Sequence, residues 1–236
     1  MPGTITFAKK DDTTKRANLM HRAFLLLIPA AAAFAASGCI VGGASGAPYS
    51  QNESYAGFDT VDVSAGVEVV LAQGNFAVKA ESINGASLDK LIVEVRGKTL
   101  HVSRKETMLG WGGGPRYRVN VSAPAFSAFE ASSGSSLEGA GLQLADLDVD
   151  VSSGAKVNIS GACKTLRVEI ASGASFDGEG LKCETANVDA SSGAHAEAFA
   201  ARSADGNASS GANVTFHGNP AILEKDSSSG GSVSAR

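Results

Sequence analysis

The chain has 236 residues, room for one or two domains at about 100 to 200 residues each. A single Trp and 6% aromatic residues exclude a large aromatic core, and 28 Gly mark a turn-rich chain. The net charge of −4 excludes a protein that holds nucleic acid through a basic surface.

In chain order, Met1 to Leu19 is polar, with Lys9, Lys10, Asp11, Asp12, Lys15 and Arg16, so Met20 reads as the true start. Met20-His21-Arg22 opens a secretory signal, and Ala23 to Ala36 is its 14-residue uncharged core. A permanent membrane helix needs about 20 residues. Residues 1–38 are therefore expected to be a targeting segment. The run closes on Ala36-Ser37-Gly38-Cys39, which resembles a bacterial lipobox with Ala36 where Leu is usual. That resemblance implies a lipidated Cys39 at the mature N-terminus, and its acyl chains would tether the protein to a membrane. Ile40 follows, without an Asp to retain the protein at the inner membrane, so the expected destination is the cell envelope as an outer-membrane lipoprotein. Residues 39–53 are rich in Gly, Ala and Ser and read as a flexible tether. Removing residues 1–38 takes five basic groups from 20 and two acidic groups from 24, leaving a net charge of −7.

Residues 54–236 form the expected folded domain. Phe58 to Leu71, Asn75 to Glu81 and Lys90 to Ser103 alternate apolar and polar residues, with Arg96-Gly97-Lys98-Thr99 as a hairpin turn. These less regular N-terminal β strands are expected to cap one end of the fold. The insertion from Met108 to Tyr117 carries the only Trp among glycines. Trp111, with Arg116 and Tyr117, is either a surface for sugar rings or a protein partner, or a lid over the core.

From residue 133 a fixed repeat takes over. Ser133-Gly134, Ser153-Gly154, Ser172-Gly173, Ser192-Gly193, Ser210-Gly211 and Ser229-Gly230 place successive glycines 20, 19, 20, 18 and 19 residues apart. Five residues before each Gly stand Phe129, Val149, Val168, Val188, Gly206 and Lys225; three after it stand Leu137, Val157, Phe176, Ala196, Val214 and Val233. Polar residues alternate with these, so each repeat holds two short strands around a Ser-Gly corner. One repeat cannot bury its apolar face alone, but stacked repeats share a narrow core. The expected fold is all-β, a right-handed parallel β-helix or solenoid of about six short coils. Stacked serines are expected to bond along the corner, and Gly141, Gly161, Gly180 and Gly218 to turn the far corner with positive φ. Small inward residues at Ala186, Ala190, Gly206 and Ala208 predict a weaker C-terminal end.

The position four before the Gly carries Glu130, Asp150, Glu169, Asp189, Asn207 and Asp226, a line of carboxylates on one outward face. Either this face is simply solvated, or it is a ladder for cations such as Ca2+, which takes clustered oxygen ligands. Paired carboxylates also serve glycosidases, but short loops and a single basic neighbour, Arg167, argue against catalysis. Cys163 and Cys183 fall in equivalent loops of adjacent coils and are candidates for a disulfide in an oxidising envelope. His101, His195 and His217 occupy different columns and read as surface residues without partners.

Phe58-Asp59-Thr60-Val61-Asp62-Val63 with Gly66 and Val67-Glu68-Val69, the segment Val119 to Pro124, and the train of Ser-Gly coils resemble the auto-transporter adhesin, head GIN domain family. The resemblance spans nearly all of the mature chain. It implies a non-enzymatic, adhesin-like display or binding module for an envelope polysaccharide or protein partner, with no catalytic residues, no nucleic acid and no resident cofactor. A structural or sensing role among envelope proteins is the alternative, and a polysaccharide-active enzyme comes third.

Overall fold

A computed structural model describes residues 55–105 and 114–236; Cys39, the targeting segment, the tether and Trp111 lie outside the described residues. Six strands precede the repeats: β1 (Thr60–Val63), β2 (Glu68–Gln73), β3 (Ala77–Ser82), β4 (Leu91–Arg96), β5 (Thr99–Arg104) and β6 (Tyr117–Ala123). The repeats supply β7 (Ala128–Ala131), β8 (Ser136–Gln143), β9 (Asp146–Val151), β10 (Lys156–Ile170), β11 (Ser175–Ala190), β12 (His195–Ala208), β13 (Asn213–His217), β14 (Ile222–Ser227) and β15 (Ser232–Ala235).

These strands build a β-solenoid with two principal faces. One face runs β4-β5-β1-β7-β9, then the second halves of β10, β11 and β12, and ends on β14. The other runs β3-β6-β2-β8, then the first halves of β10 to β12, β13 and β15. All pairings are parallel except those of β3 and β4, which lie antiparallel on the N-terminal tier. The columns aligned on the glycines are the pairing register itself: Leu137 faces Val157, which faces Phe176, then Ala196, Val214 and Val233.

The upstream segment does more than cap. β1 and β2 form one further parallel tier and β5 and β6 another, and β3 and β4 alone play the capping role. Ala65-Gly66 turns the corner between β1 and β2, with φ of 58° and 71°, as each Ser-Gly pair does downstream. In those pairs both residues take positive φ, for example Ser172 at 56° and Gly173 at 69°. Open space surrounds the Cβ position of Gly173, so backbone conformation and not crowding selects glycine there. The corners are joined by backbone bonds instead of serine hydroxyls: Gly154 N–H donates to Ser172 O and Gly173 N–H to Ser192 O, each at 3.1 Å.

The far corner differs from expectation at one position. Gly141, Gly161 and Gly218 have positive φ, but Gly180 does not. Its glycine answers close approach, since a Cβ there would lie 2.9 Å from Ser160 Cβ.

Inward side chains form one continuous core from Phe58 to Phe216. The small residues of the first face are matched by rings from the second. A Cβ on Gly206 would stand 2.7 Å from the Phe216 ring and 2.9 Å from Val233. The fully buried Phe216 thus fills the space left at Gly206, although β12 itself is thin on both faces, with Ala196 and Ala198 on one and Ala204 and Ala208 on the other. Cys163 and Cys183 stand opposite one another on β10 and β11, with Cα atoms 4.4 Å apart, and are joined by a disulfide.

Candidate functional site

The parallel register stacks identical columns at about 4.8 Å per tier. On the first face this brings Asp62, Glu130, Asp150, Glu169, Asp189, Asn207 and Asp226 into one line about 29 Å long. Asp62 extends the line beyond the sequence expectation, and His101 beyond it closes the N-terminal end with Nδ1 2.8 Å from Asp62 Oδ2. At the other end Asn207 Nδ2 donates to Asp189 Oδ1 at 2.8 Å. Beside this line runs a second, containing Asp148, Arg167, Asn187, Asp205 and Glu224. Arg167 is bonded to Asp148 at 3.2 Å, and Asn187 donates to Asp205 at 3.1 Å. Arg167 is the cation set between Asp148 and the ladder residues Asp150 and Glu169, while Lys164, Arg202 and Lys225 are exposed elsewhere on the same strands.

A shallow groove of about 500 Å³ follows the ladder between its carboxylates and the Ser-Gly corner, lined by Asp150, Glu169, Asp189, Asn207 and Asp226 with Ser191, Ser209 and Ser228. It is open to solvent along its length. Neighbouring carboxylates at about 4.8 Å repel by roughly 0.9 kcal/mol in water. At Glu130 that repulsion adds to a larger effect of burial. Partial burial against the sheet, then the carboxylates of Asp62 and Asp150, raise its pKa above the ordinary 4.5, with His101 opposing.

A raised carboxyl pKa means that the folded state binds the proton more tightly than the unfolded chain. The contribution is fully present below about 4.5 and is lost as pH rises through the folded value. Glu130→Gln is therefore expected to raise the melting temperature at pH 7 and to flatten the stability profile from pH 4.5 upward. Melts of both proteins across pH 4 to 8 check this; a variant less stable than the parent at pH 7 would contradict it.

The aromatic loop is a different matter. Tyr117 is 1% exposed, its hydroxyl donates to Ser87 O at 2.7 Å, and burial followed by the Asp89 carboxylate raises its pKa. It is a core residue, which corrects its assignment as a ligand contact: as the first residue of β6 it points inward with Val119 and Val121. Arg116 is exposed but ion-paired to Glu68 at 2.9 Å, alongside Arg118.

The histidines also depart from expectation. His195 Nε2 lies 3.3 Å from Glu197 Oε1, and His217 lies between Glu179 and Glu197 at 3.6 and 3.4 Å. His217 finds its neighbours across tiers, whereas His195 meets Glu197 two residues along its own strand.

Among the described residues no helix is long and apolar enough to cross a membrane. The family model described as "Putative auto-transporter adhesin, head GIN domain" matches residues 57–220. Among solved structures, the chain is similar to a putative adhesin from Bacteroides fragilis, at 11% identity and a TM-score of 0.60, covering 81% of this chain and 98% of that one. A putative lipid binding protein from Parabacteroides distasonis (15% identity) and a putative adhesin from Parabacteroides merdae (11%) each give a TM-score of 0.47, covering 81% of this chain and 97% of theirs. A search of curated proteins finds no match.

Proposed function

The chain belongs to the putative auto-transporter adhesin, head GIN domain family, and from that premise we propose that it is a non-enzymatic envelope module that binds a surface polymer or protein through its acidic face. Cys39, when acylated, would tether the domain to the outer membrane, with residues 40–53 as the leash. The observation that carries the binding reading is the unbroken run Asp62, Glu130, Asp150, Glu169 and Asp189, of which Asp150, Glu169 and Asp189 line a groove that a linear chain could follow. The chemistry that fits such a line is a partner presenting repeated amino or guanidinium groups, because each new contact relieves the repulsion between two carboxylates.

The arrangement favours recognition over hydrolysis. The ladder carboxylates project from one sheet face into an open groove, so they do not stand on either side of a bound sugar as a glycosidase pair must. Arg167, the cation beside Asp150 and Glu169, is engaged by Asp148.

The test is binding of the immobilised protein to fractions of the native envelope and to a basic polypeptide. The triple variant Asp150→Asn, Glu169→Gln, Asp189→Asn is expected to lose at least tenfold in affinity, and raised salt should weaken the parent. Binding that survives both the triple substitution and 1 M salt would remove the acidic face from consideration. Calcium is the competing occupant, since the ladder offers clustered oxygens. A calorimetric titration with no heat at millimolar Ca2+ would leave the cationic partner as the remaining reading.

A further inference from the structure

On the second face, away from the acidic ladder, one ligand-type side chain from each of three consecutive tiers converges. Glu179 follows the first half of β11, Glu197 is on β12 and His217 ends β13. One donor atom from each lies within 4.8 Å of the others. The approach depends on a break in the ladder: the register between β11 and β12 shifts between Gly178 and Lys182, so Glu179 stands on a bulge. Asp177 holds that bulge by accepting the Glu179 N–H at 3.3 Å. Bulges of this kind re-aim side chains next to functional sites.

His217 is the informative member. Its side chain is 16% exposed, and its Nε2 is shielded from water with no hydrogen-bond partner. Glu197 Oε2 lies 3.4 Å from that nitrogen, outside hydrogen-bonding geometry, while Nδ1 faces Glu179 Oε1 at 3.6 Å. A shielded nitrogen without a partner is costly to the fold unless something else binds it. Ligands about 2.0–2.1 Å from a tetrahedral zinc stand about 3.3 Å from one another; Glu197 Oε2 is 3.4 Å from His217 Nε2, and one donor atom from each of the three residues lies within 4.8 Å of the others. Lys182, the nearby cation, donates to the Glu179 carbonyl at 2.9 Å and stacks on Phe199 at 4.1 Å.

We propose that Glu179, Glu197 and His217 form a binding site for one divalent transition metal of the zinc class. The imidazole selects zinc-like ions over calcium, which takes oxygen ligands alone. Three protein donors leave a fourth position for water. His195, through its contact with Glu197 Oε1, orients that carboxylate and does not bind the ion directly. Because the ligands come from β11, β12 and β13, the ion fastens three tiers together in the part of the solenoid where the first face is thin, so binding is coupled to stability.

The test uses the full chain, stripped with a chelator and titrated with Zn2+ by calorimetry, with Co2+ absorption as a second measurement. One equivalent of zinc is expected, with a higher melting temperature and the intense visible bands of four-coordinate cobalt. His217→Gln should weaken zinc at least 100-fold and Glu197→Gln about tenfold, whereas Glu130→Gln on the acidic face should leave it unchanged. Circular dichroism of the metal-free variants confirms that they fold. No heat with the parent protein, or equal affinity in the His217→Gln variant, overturns the site; weak cobalt bands typical of six oxygen ligands do so even if a variant fails to fold. A result limited to Glu130→Gln would assign the ion to the ladder instead.

Discussion

Phe216→Ala is expected to destabilise the domain by about 3–5 kcal/mol, the range for truncating a fully buried ring. The reason is specific to this end of the solenoid. In the column of Val149, Val168 and Val188 the next tier has Gly206, and the volume missing there is occupied by the Phe216 ring. Deleting the ring leaves a cavity lined on one side by Gly206 and flanked by Ala198, the register partner of Phe216 and too small to move into it. Equilibrium denaturation should show the loss as a lower midpoint. Gly206→Val in the parent should also destabilise, because its side chain would meet the ring, whereas the same change combined with Phe216→Ala should recover part of the deficit. Additive losses in the double variant would show that the two positions do not share one space.

This pairing also explains what was and was not legible in the sequence. The Ser-Gly repeat yields the register without ambiguity because a parallel solenoid stacks equivalent positions directly, and so the acidic ladder is readable from columns alone. Compensation across the core is not readable that way, since Gly206 and Phe216 belong to different columns and meet only when the two faces close. The extra tier was accessible. Val61-Asp62-Val63-Ser64-Ala65-Gly66 repeats the pattern of Val149-Asp150-Val151-Ser152-Ser153-Gly154, with Ala65 in place of the corner serine. A search keyed on Ser-Gly passes over it, and with it Asp62.

The cluster of Glu179, Glu197 and His217 was hidden for a further reason. These residues stand six, four and six positions after their corner glycines, Gly173, Gly193 and Gly211, so no single column contains them. The bulge that brings them together is a local shift in pairing, and its only sequence trace is the Gly178-Glu179-Gly180 triplet. Tyr117 misled in the opposite direction. Its place after a Gly-rich insertion suggested an exposed contact, yet the alternation of Tyr117, Val119 and Val121 already put it on the inward side of β6.

Removing the disulfide is expected to cost about 3 kcal/mol, close in size to the loss of the buried ring. Cys163 and Cys183 are 20 residues apart in sequence, and cross-linking a loop of that length restricts the unfolded chain by about this amount. Because the two residues are register partners on adjacent strands, the link needs no displacement of the backbone pairing. Both are buried, at 7% and 1% exposure, so alanine is the suitable replacement and serine would add an unpaired hydroxyl to the loss. The comparison is best made in a Cys39→Ser background, which leaves one possible bridge. There the Cys163→Ala, Cys183→Ala variant should melt at a lower temperature, and dithiothreitol should lower the parent toward it while leaving the variant unchanged. Equal stability of parent and variant under oxidising conditions would mean that the bridge contributes nothing. The expected loss bears on location as well, because a solenoid that draws this much stability from a disulfide folds best where thiols are oxidised, outside the reducing cytoplasm.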